Sequence, residues 1–274
     1  MADDALAVLP PAYRALFDSA LRVARSDERV LGLWLGGSLA RGDADAVSDL
    51  DLLVAVRDDA LAEFARDWRA WLARITPTLI ARPLPFLPGS FYSLTPDALR
   101  LDLVVEAAGK LSDTPFRRRR VVFDRAGLDA RIPPPAPAPG PSPERIAATI
   151  EEFFRVAALL DVGVVRGDLL LVNEGVHLLR GLLYQLFCDA NAPLPPQGFK
   201  QRSANLRPAQ RALLEALPTG ASDWSALLEA NTAVARAFLA NAREIAAAHG
   251  VAWPHALEAA VRAHLQRRGL PALG

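Results

Sequence analysis

The sequence predicts an α+β protein, with a mixed sheet and packed helices in residues 1–130 followed by an all-helical bundle in residues 144–274. Helix-like and strand-like hydrophobic patterns alternate in the first part, whereas apolar residues of the second part recur only at helical spacing. Between them lies a proline-rich segment, residues 131–143, with the composition of a semi-rigid extended linker. We therefore expect two domains joined by a linker.

The first part combines two amphipathic helices with several short strands. Apolar stripes at helical spacing predict helices over residues 11–25 and 58–75. Apolar runs predict one strand within residues 47–56 and further strands at residues 30–35, 78–84, 91–94, 99–105 and 120–123. This order predicts a mixed sheet with helices packed against it.

The second part is expected to contain four or five helices. The patterns place them at residues 143–160, from 168 or 173 to 187, and at 208–217, 222–249 and 254–268. Ser142 is predicted to cap the first of these helices, and either Asp168 or Asn173 the second, because short polar side chains accept hydrogen bonds from the first amides of a helix.

Charge and cysteine content exclude several classes of protein. The formal net charge is zero, from 31 Lys plus Arg and 31 Asp plus Glu, so nucleic acid is not an expected partner. Cys188 is the only cysteine, which excludes an intrachain disulfide and a cysteine-rich zinc site. No apolar run approaches the ~18 residues of a membrane span. We expect a cytoplasmic protein with no membrane segment.

The most informative stretch is residues 31–56, LGLWLGGSLARGDADAVSDLDLLVAV. An apolar strand leads into Gly36, Gly37 and Ser38, and a helix-compatible segment follows directly. Glycines let the backbone approach a ligand closely, and amides at the start of a helix favour phosphate. The serine hydroxyl adds a further donor, so this turn is a candidate phosphate site.

A second set of polar residues follows ten positions later. On a strand, Asp49 and Asp51 would share one face, because alternate side chains point the same way. Two adjacent carboxylates repel each other unless a divalent cation neutralises both, and Mg²⁺ commonly binds one or two carboxylates together with water and phosphates. Asp102 lies among apolar residues of a third strand and is the candidate third acid, acting as metal ligand, general base or both. Glu106 and Asp97 are the alternatives.

These residues resemble the signature of the DNA polymerase beta-type nucleotidyltransferase superfamily. GGSLARG is followed by SDLDL and, much later, by an acid on another strand, and the resemblance covers roughly residues 30–105. The helical second half is similar to small bacterial aminoglycoside and lincosamide adenylyltransferases. That likeness depends on the architecture and on the segment Gln197-Gly198-Phe199-Lys200.

The resemblance implies Mg²⁺-dependent transfer of a nucleoside monophosphate to a hydroxyl of a small acceptor, with ATP as donor and two Mg²⁺ ions. Gly37 and Ser38 would bind the terminal phosphates, and Asp49 and Asp51 would hold the metals. The remaining implied roles belong to Arg41 and Lys200 as nucleotide-binding cations and to Asp102 as the acid acting on the acceptor hydroxyl. The related antibiotic enzymes often have glutamate at that last position.

Other patterns leave functional alternatives open. Glu174 and Asp168 could contact a cationic acceptor such as an aminoglycoside-like antibiotic, or could be exposed helix charges. The run Arg117–Arg120 could bind an anion, although such runs are usually solvated. Arg243 and His249 have the spacing of some small helical ribonucleases, a pattern that arises easily by chance. Modification of a partner protein, as in antitoxin-type nucleotidyltransferases, and silent nucleotide binding are the alternatives to small-molecule transfer.

Overall fold

The computed structural model describes residues 2–195, 200–271 and 273. These residues divide into two compact units, one formed by residues 2–137 and the other by residues 138–195 together with those from 200 onward. The division falls inside the proline-rich segment. Each unit has a hydrophobic core of its own.

The first unit is built on a six-stranded mixed sheet with helices, as the sequence predicts. Its strands are β1 (Val30–Leu35), β2 (Leu50–Val56), β3 (Ile80–Pro83), β4 (Ser90–Leu94), β5 (Arg100–Ala107) and β6 (Arg120–Asp124). Its α-helices are α1 (Ala2–Leu6), α2 (Pro11–Ser26), α3 (Gly37–Arg41) and α4 (Leu61–Ile75). The predicted helix over 58–75 begins with a short 3₁₀ turn, Asp58–Ala60.

The strand order is β3-β4-β5-β2-β1-β6, so β2 and β5 lie side by side in the centre of the sheet. These two strands are parallel, whereas the other neighbouring pairs are antiparallel. Their register pairs Asp51 with Asp102. Two carboxylate-bearing residues that are far apart in the chain are therefore immediate neighbours on adjacent strands.

The two faces of the sheet bury different side chains. Leu50, Leu52 and Leu103 belong to a large core that includes the apolar sides of α2 and α4, such as Phe17 and Trp68. A smaller core lies on the opposite face and consists of Trp34, Leu53, Ala55, Ala108, Leu111 and Leu128. Because side chains alternate along a strand, Asp51 lies on the face opposite Leu50 and Leu52.

The connection from β5 to β6 is organised by the buried guanidinium of Arg119, whose side chain is 2% exposed. Its Nη1 donates to Glu106 Oε2 at 2.8 Å, its Nε to the carbonyl of Phe116 at 2.7 Å, and its Nη2 to Thr114 Oγ1 at 2.9 Å. The same guanidinium lies over the ring of Trp34, 5.3 Å from its centroid. Arg119 thereby ties the connecting loop to the smaller core.

We expect Arg119→Met to lower the free energy of unfolding by about 3–5 kcal/mol, because it leaves the largely buried Glu106 carboxylate without its cation. Urea denaturation monitored by circular dichroism measures the change. Combining it with Glu106→Gln should recover part of the loss, since the uncompensated charge is removed. A single variant as stable as the parent would contradict the structural role of this ion pair.

The second unit is helical, as predicted, but contains six α-helices in its described residues instead of four or five. They are α5 (Pro143–Ala158), α6 (Leu160–Arg166), α7 (Leu169–Asn191), α8 (Pro208–Ala216), α9 (Trp224–Ala248) and α10 (His255–Arg267). The helix not predicted is α6, which is separated from α5 by Leu159 and ends at Gly167, a residue with φ of +64°. None of the helices in the described part of the chain has the length and apolar character that crossing a membrane requires.

A polar side chain fixes the beginning of α7, a helix of 23 residues. The Asp168 carboxylate accepts a hydrogen bond from the Leu171 amide at 3.0 Å and is the N-cap of α7. Asn173, the other candidate cap, instead exchanges hydrogen bonds with the backbone of Ala221 at 2.8 and 3.0 Å. Asp168 therefore has a structural role that its sequence position alone left open.

Candidate active site

The glycine-rich turn after β1 packs directly on Asp51. The Gly36 amide donates to the Asp51 carbonyl at 2.9 Å. Gly37 has φ of +50°, and a Cβ at that position would overlap the Asp51 carboxylate. Only glycine allows this approach without moving the acid, because glycine has no Cβ and adopts positive φ readily. The turn and the first acid of the site thus form one packed element.

Asp51 and Asp102 are both half-buried on the face of the sheet that carries the smaller core. Neighbouring strands lie only about 4.8 Å apart, so side chains paired in register are held close together. Tyr92 of β4 is the antiparallel partner of Asp102 on its other side. One row across three strands therefore carries a tyrosine and two carboxylates.

This acid pair opens onto a cavity of about 380 Å³, a volume in the range of small-molecule sites. The turn, the two central strands and the β5–β6 connection supply its lining, which consists of Gly36, Gly37, Arg41, Asp51, Leu52, Leu53, Asp102, Val104, Pro115, Phe116, Arg117 and Arg118. All of these residues belong to the first unit. The cavity combines carboxylates, guanidinium groups and backbone amides within one small volume.

Three of the predicted nucleotide-binding residues lie on α3, which are Gly37, Ser38 and Arg41. Ser38 is 8% exposed, and its hydroxyl is buried without a hydrogen-bond partner among the described residues. Such groups are rare because each costs free energy, and Ser38 follows directly after Gly37 of the cavity lining. Arg41 lines the cavity and is held by Asp43, with Nε 3.2 Å from the carboxylate. Its charge is therefore partly neutralised.

Asp49 lies one residue before β2, which begins at Leu50 inside the predicted segment 47–56. The residues before it form a turn in which Asp45 accepts hydrogen bonds from the Val47 amide and the Ser48 hydroxyl at 3.1 and 2.9 Å. Asp49 is 9% exposed and is not among the residues that line the cavity, so its role as a metal ligand beside Asp51 stays a prediction. Among the described residues, no three or more His, Cys, Asp or Glu side chains are grouped closely enough to hold a metal ion.

The alternatives for the third acid lie elsewhere. Glu106 pairs with Arg119 and also accepts a hydrogen bond from Thr114, so its carboxylate is part of the loop anchor. Asp97 is exposed in the turn between β4 and β5. Asp102 is the acid that shares the cavity with Asp51.

Two cavity residues, Arg117 and Arg118, are not among the predicted site residues. They belong to a run of four arginines, which the sequence pattern left open between an anion site and a solvated surface. Within the run, Arg117 and Arg118 line the cavity, whereas the side chain of Arg119 is buried. The available signal was that the run leads directly into a strand, β6, which pairs with β1, the strand that leads into the glycine turn.

The remaining predicted site residues belong to the second unit. Lys200 is exposed in a turn, and Gln197, Gly198 and Phe199 lie outside the described residues. Glu174 is exposed on α7, where it borders a small apolar cleft, and Asp168 is the helix cap already described. Arg243, part of the ribonuclease-like pattern, donates to both oxygens of Glu258 at 2.7 Å.

Comparison with known proteins assigns a class to the first unit. Residues 18–83 match the family model of the nucleotidyltransferase domain. The match contains Gly37, Ser38, Asp49 and Asp51 and ends before Asp102. The chain therefore carries a nucleotidyltransferase domain, and the predicted class of enzyme is confirmed.

Two further comparisons address the whole chain. Comparison with curated proteins gives no significant sequence match. Among solved structures, the chain is similar to the crystal structure of an aminoglycoside 6-adenyltransferase from Bacillus subtilis, at 15% identity and a TM-score of 0.44. The alignment covers 92% of this chain and 96% of that chain.

Proposed function

We propose that the protein transfers AMP from ATP to a hydroxyl of a small acceptor, in a Mg²⁺-dependent reaction that releases pyrophosphate. The observation that carries this proposal is the in-register pair of Asp51 and Asp102 beside the glycine turn, at one cavity. Carboxylate oxygens next to a phosphate-binding turn are the groups that nucleotidyl transfer requires.

The donor set fits Mg²⁺, with Asp51 and Asp102 as the residues that would hold it. Mg²⁺ usually takes only one or two carboxylates and completes its coordination with water and substrate phosphates, so a third acid is not required. When bound, Mg²⁺ would neutralise charge on the α-phosphate and on the departing pyrophosphate. The proposed contribution of Asp49, and of a second ion, remains a prediction.

In the proposed reaction the protein holds the nucleotide and removes one proton. The amide of Gly37 and the hydroxyl of Ser38 donate to phosphate oxygens, and Arg41 adds positive charge. Asp102 accepts the proton of the acceptor hydroxyl while that oxygen bonds to the α-phosphorus. The bond from the α-phosphorus to the oxygen bridging to the β-phosphorus breaks, and pyrophosphate leaves with its electron pair.

The acceptor class follows only from the sequence resemblance, which favours a polyhydroxylated amine of the aminoglycoside type. Glu174 is the proposed contact for its positive charge. Asp168 is less suited to that role, because its carboxylate already caps α7. Lys200 remains a proposed phosphate ligand.

The test is incubation with ATP, Mg²⁺ and a panel of hydroxylated amines, nucleosides and proteins, reading pyrophosphate release and adduct mass. We expect a small-molecule adduct heavier by one adenylyl group. A labelled protein would instead support the partner-modifying alternative. Binding of ATP without any pyrophosphate release would support silent nucleotide binding and contradict the proposal.

Ser38 gives a sharper prediction, because its hydroxyl has no partner in the described structure. We expect Ser38→Ala to leave the melting temperature unchanged or slightly raised, while weakening ATP binding roughly tenfold, since a hydrogen bond to a charged group contributes about 1.5 kcal/mol or more. Thermal denaturation and calorimetric titration measure the two effects.

The matched control is Ser90→Ala, which removes another buried and unpartnered hydroxyl of the same unit, on β4 instead of next to the glycine turn. Its melting temperature should respond as in Ser38→Ala, whereas its affinity for ATP should not change. Equal ATP affinity in both variants and the parent would show that Ser38 does not contact the nucleotide.

A further inference from the structure

The β5–β6 connection carries four consecutive arginines that meet different surroundings. Arg117 and Arg118 line the cavity that contains Asp51 and Asp102. Arg119 is buried, and Arg120 begins β6. Arg117 and Arg118 lie beyond the segment that matches the family model, and the sequence pattern leaves their ligand open.

The loop that carries Arg117 and Arg118 is held in place by hydrogen bonds to Arg119 and Thr114. Arg119 donates to the Phe116 carbonyl at 2.7 Å, and the Phe116 amide donates to Thr114 Oγ1 at 3.1 Å. Arg119 also reaches that Thr114 hydroxyl, and Arg117 Nε donates to the Thr114 carbonyl at 3.4 Å. The backbone immediately before the cavity arginines is therefore held by a buried network, which places the start of both side chains at the rim.

The charges around the cavity point to the ligand. Among the described residues, neither Arg117 nor Arg118 forms an ion pair, although both line a cavity with two carboxylates. Arg41, the other cation of the lining, is paired with Asp43. A cavity that holds these two guanidinium groups together with two carboxylates suits a ligand with both charges, such as a polyphosphate that carries a divalent cation. Guanidinium is also well matched to phosphate, because its donors form paired hydrogen bonds.

We propose that Arg117 and Arg118 bind the β- and γ-phosphates of the nucleotide, and that Arg119 is the positioning residue that holds them at the cavity. The inference rests on the proposed nucleotidyl transfer and names additional residues of the same site. The proposal also explains why the Arg119 guanidinium is buried. Burying a charge costs free energy unless hydrogen bonds and an opposite charge compensate for it, and in Arg119 these contacts hold the loop in place.

The test compares ATP, inorganic tripolyphosphate and AMP as ligands in calorimetric titrations with Mg²⁺, using the full chain. We expect the double variant Arg117→Ala/Arg118→Ala to bind ATP and tripolyphosphate at least about tenfold more weakly than the parent, and AMP within about twofold, because AMP lacks the two terminal phosphates. Lysine at both positions should restore part of the lost affinity, since it keeps the charge but not the paired donors.

The matched control is Arg22→Ala/Arg66→Ala. It removes the same charge from exposed positions of α2 and α4, helices that cover the other face of the sheet. Affinity for all three ligands should remain at the parent level. A comparable loss in this control would show that net charge, and not the location of Arg117 and Arg118, determines binding.

Arg119→Met tests the positioning role at a temperature where that variant is folded. It should lower affinity for ATP and tripolyphosphate while sparing AMP, whereas a merely structural defect would weaken all three alike. Parent-like ATP affinity in the Arg117/Arg118 double variant, or an equal loss for AMP, would overturn the inference while leaving nucleotidyl transfer in place. Failure of the parent protein to bind ATP would overturn the proposed function as well.

Discussion

Replacing Asp102 with asparagine should lower kcat for nucleotidyl transfer by about 10³-fold, the range expected when a general base is removed. Asparagine keeps the size and shape of the side chain but cannot accept the proton of the acceptor hydroxyl. The change should leave the fold intact, since Asp102 lies at the cavity and not in the main core. Single-turnover measurement of pyrophosphate release isolates the chemical step from acceptor binding.

The neighbouring acids provide controls for this prediction. Asp97→Asn removes an exposed carboxylate from the turn preceding the same strand and should retain full activity. Asp51→Asn should also abolish most activity, and should in addition raise the Mg²⁺ concentration needed for ATP binding, because Asp51 is proposed as a metal ligand. An Asp51→Asn variant with parent activity would refute the site assignment.

Gly37→Ala is expected to lower kcat/KM by about 100-fold or more, since a misplacement of about 1 Å at a reacting centre has an effect of that size. The added Cβ would overlap the Asp51 carboxylate, so either the acid moves away from Asp102 or the turn moves away from the phosphates. Steady-state kinetics with varied ATP and acceptor measure the loss. Mg²⁺ titration of ATP binding shows whether the acid has moved.

Gly127→Ala separates this overlap from backbone strain. Gly127 has φ of +64°, comparable with the +50° of Gly37, and a Cβ there meets no atom within 4 Å. Both variants therefore incur a similar cost of about 1–2 kcal/mol for a non-glycine residue in the left-handed region. Only Gly37→Ala should lose activity beyond what its melting temperature explains. Equal activity in the two variants would contradict the packing of the turn against Asp51.

Hydrophobic periodicity predicted most elements of the first unit because its strands have distinct faces. The strand over 30–35 and the helix starting at residue 11 are observed at those positions, since apolar side chains at strand or helix spacing must be buried together. The pattern could not predict α6. Its boundaries depend on local backbone geometry at Leu159 and Gly167, and seven residues are too few to display a period.

Site residues were predictable where their positions follow from the alternation of side chains along a strand. They were less predictable where their positions depend on turns. Asp51 and Asp102 were recognisable as polar residues within apolar strands, and their pairing requires only that β2 and β5 be neighbours. The start of β2 at Leu50 follows an Asp45-centred turn, and strand spacing does not reveal such a turn. The position of Arg117 at the cavity likewise depends on the burial of the Arg119 side chain, which is determined by tertiary packing.

The in-register pairing of β2 with β5 has a consequence for how activity is lost. Shifting β2 by one residue would bring the Asp51 carboxylate into the large core and expose Leu50 and Leu52, which are now fully covered. Burial of the apolar side chains on one face of the sheet therefore disfavours every strand register that would separate the two acids on the other face. We therefore expect each molecule to be either folded and active or unfolded, with few molecules that are folded but inactive. Under mild denaturation, the active fraction from burst titration should consequently match the folded fraction from circular dichroism.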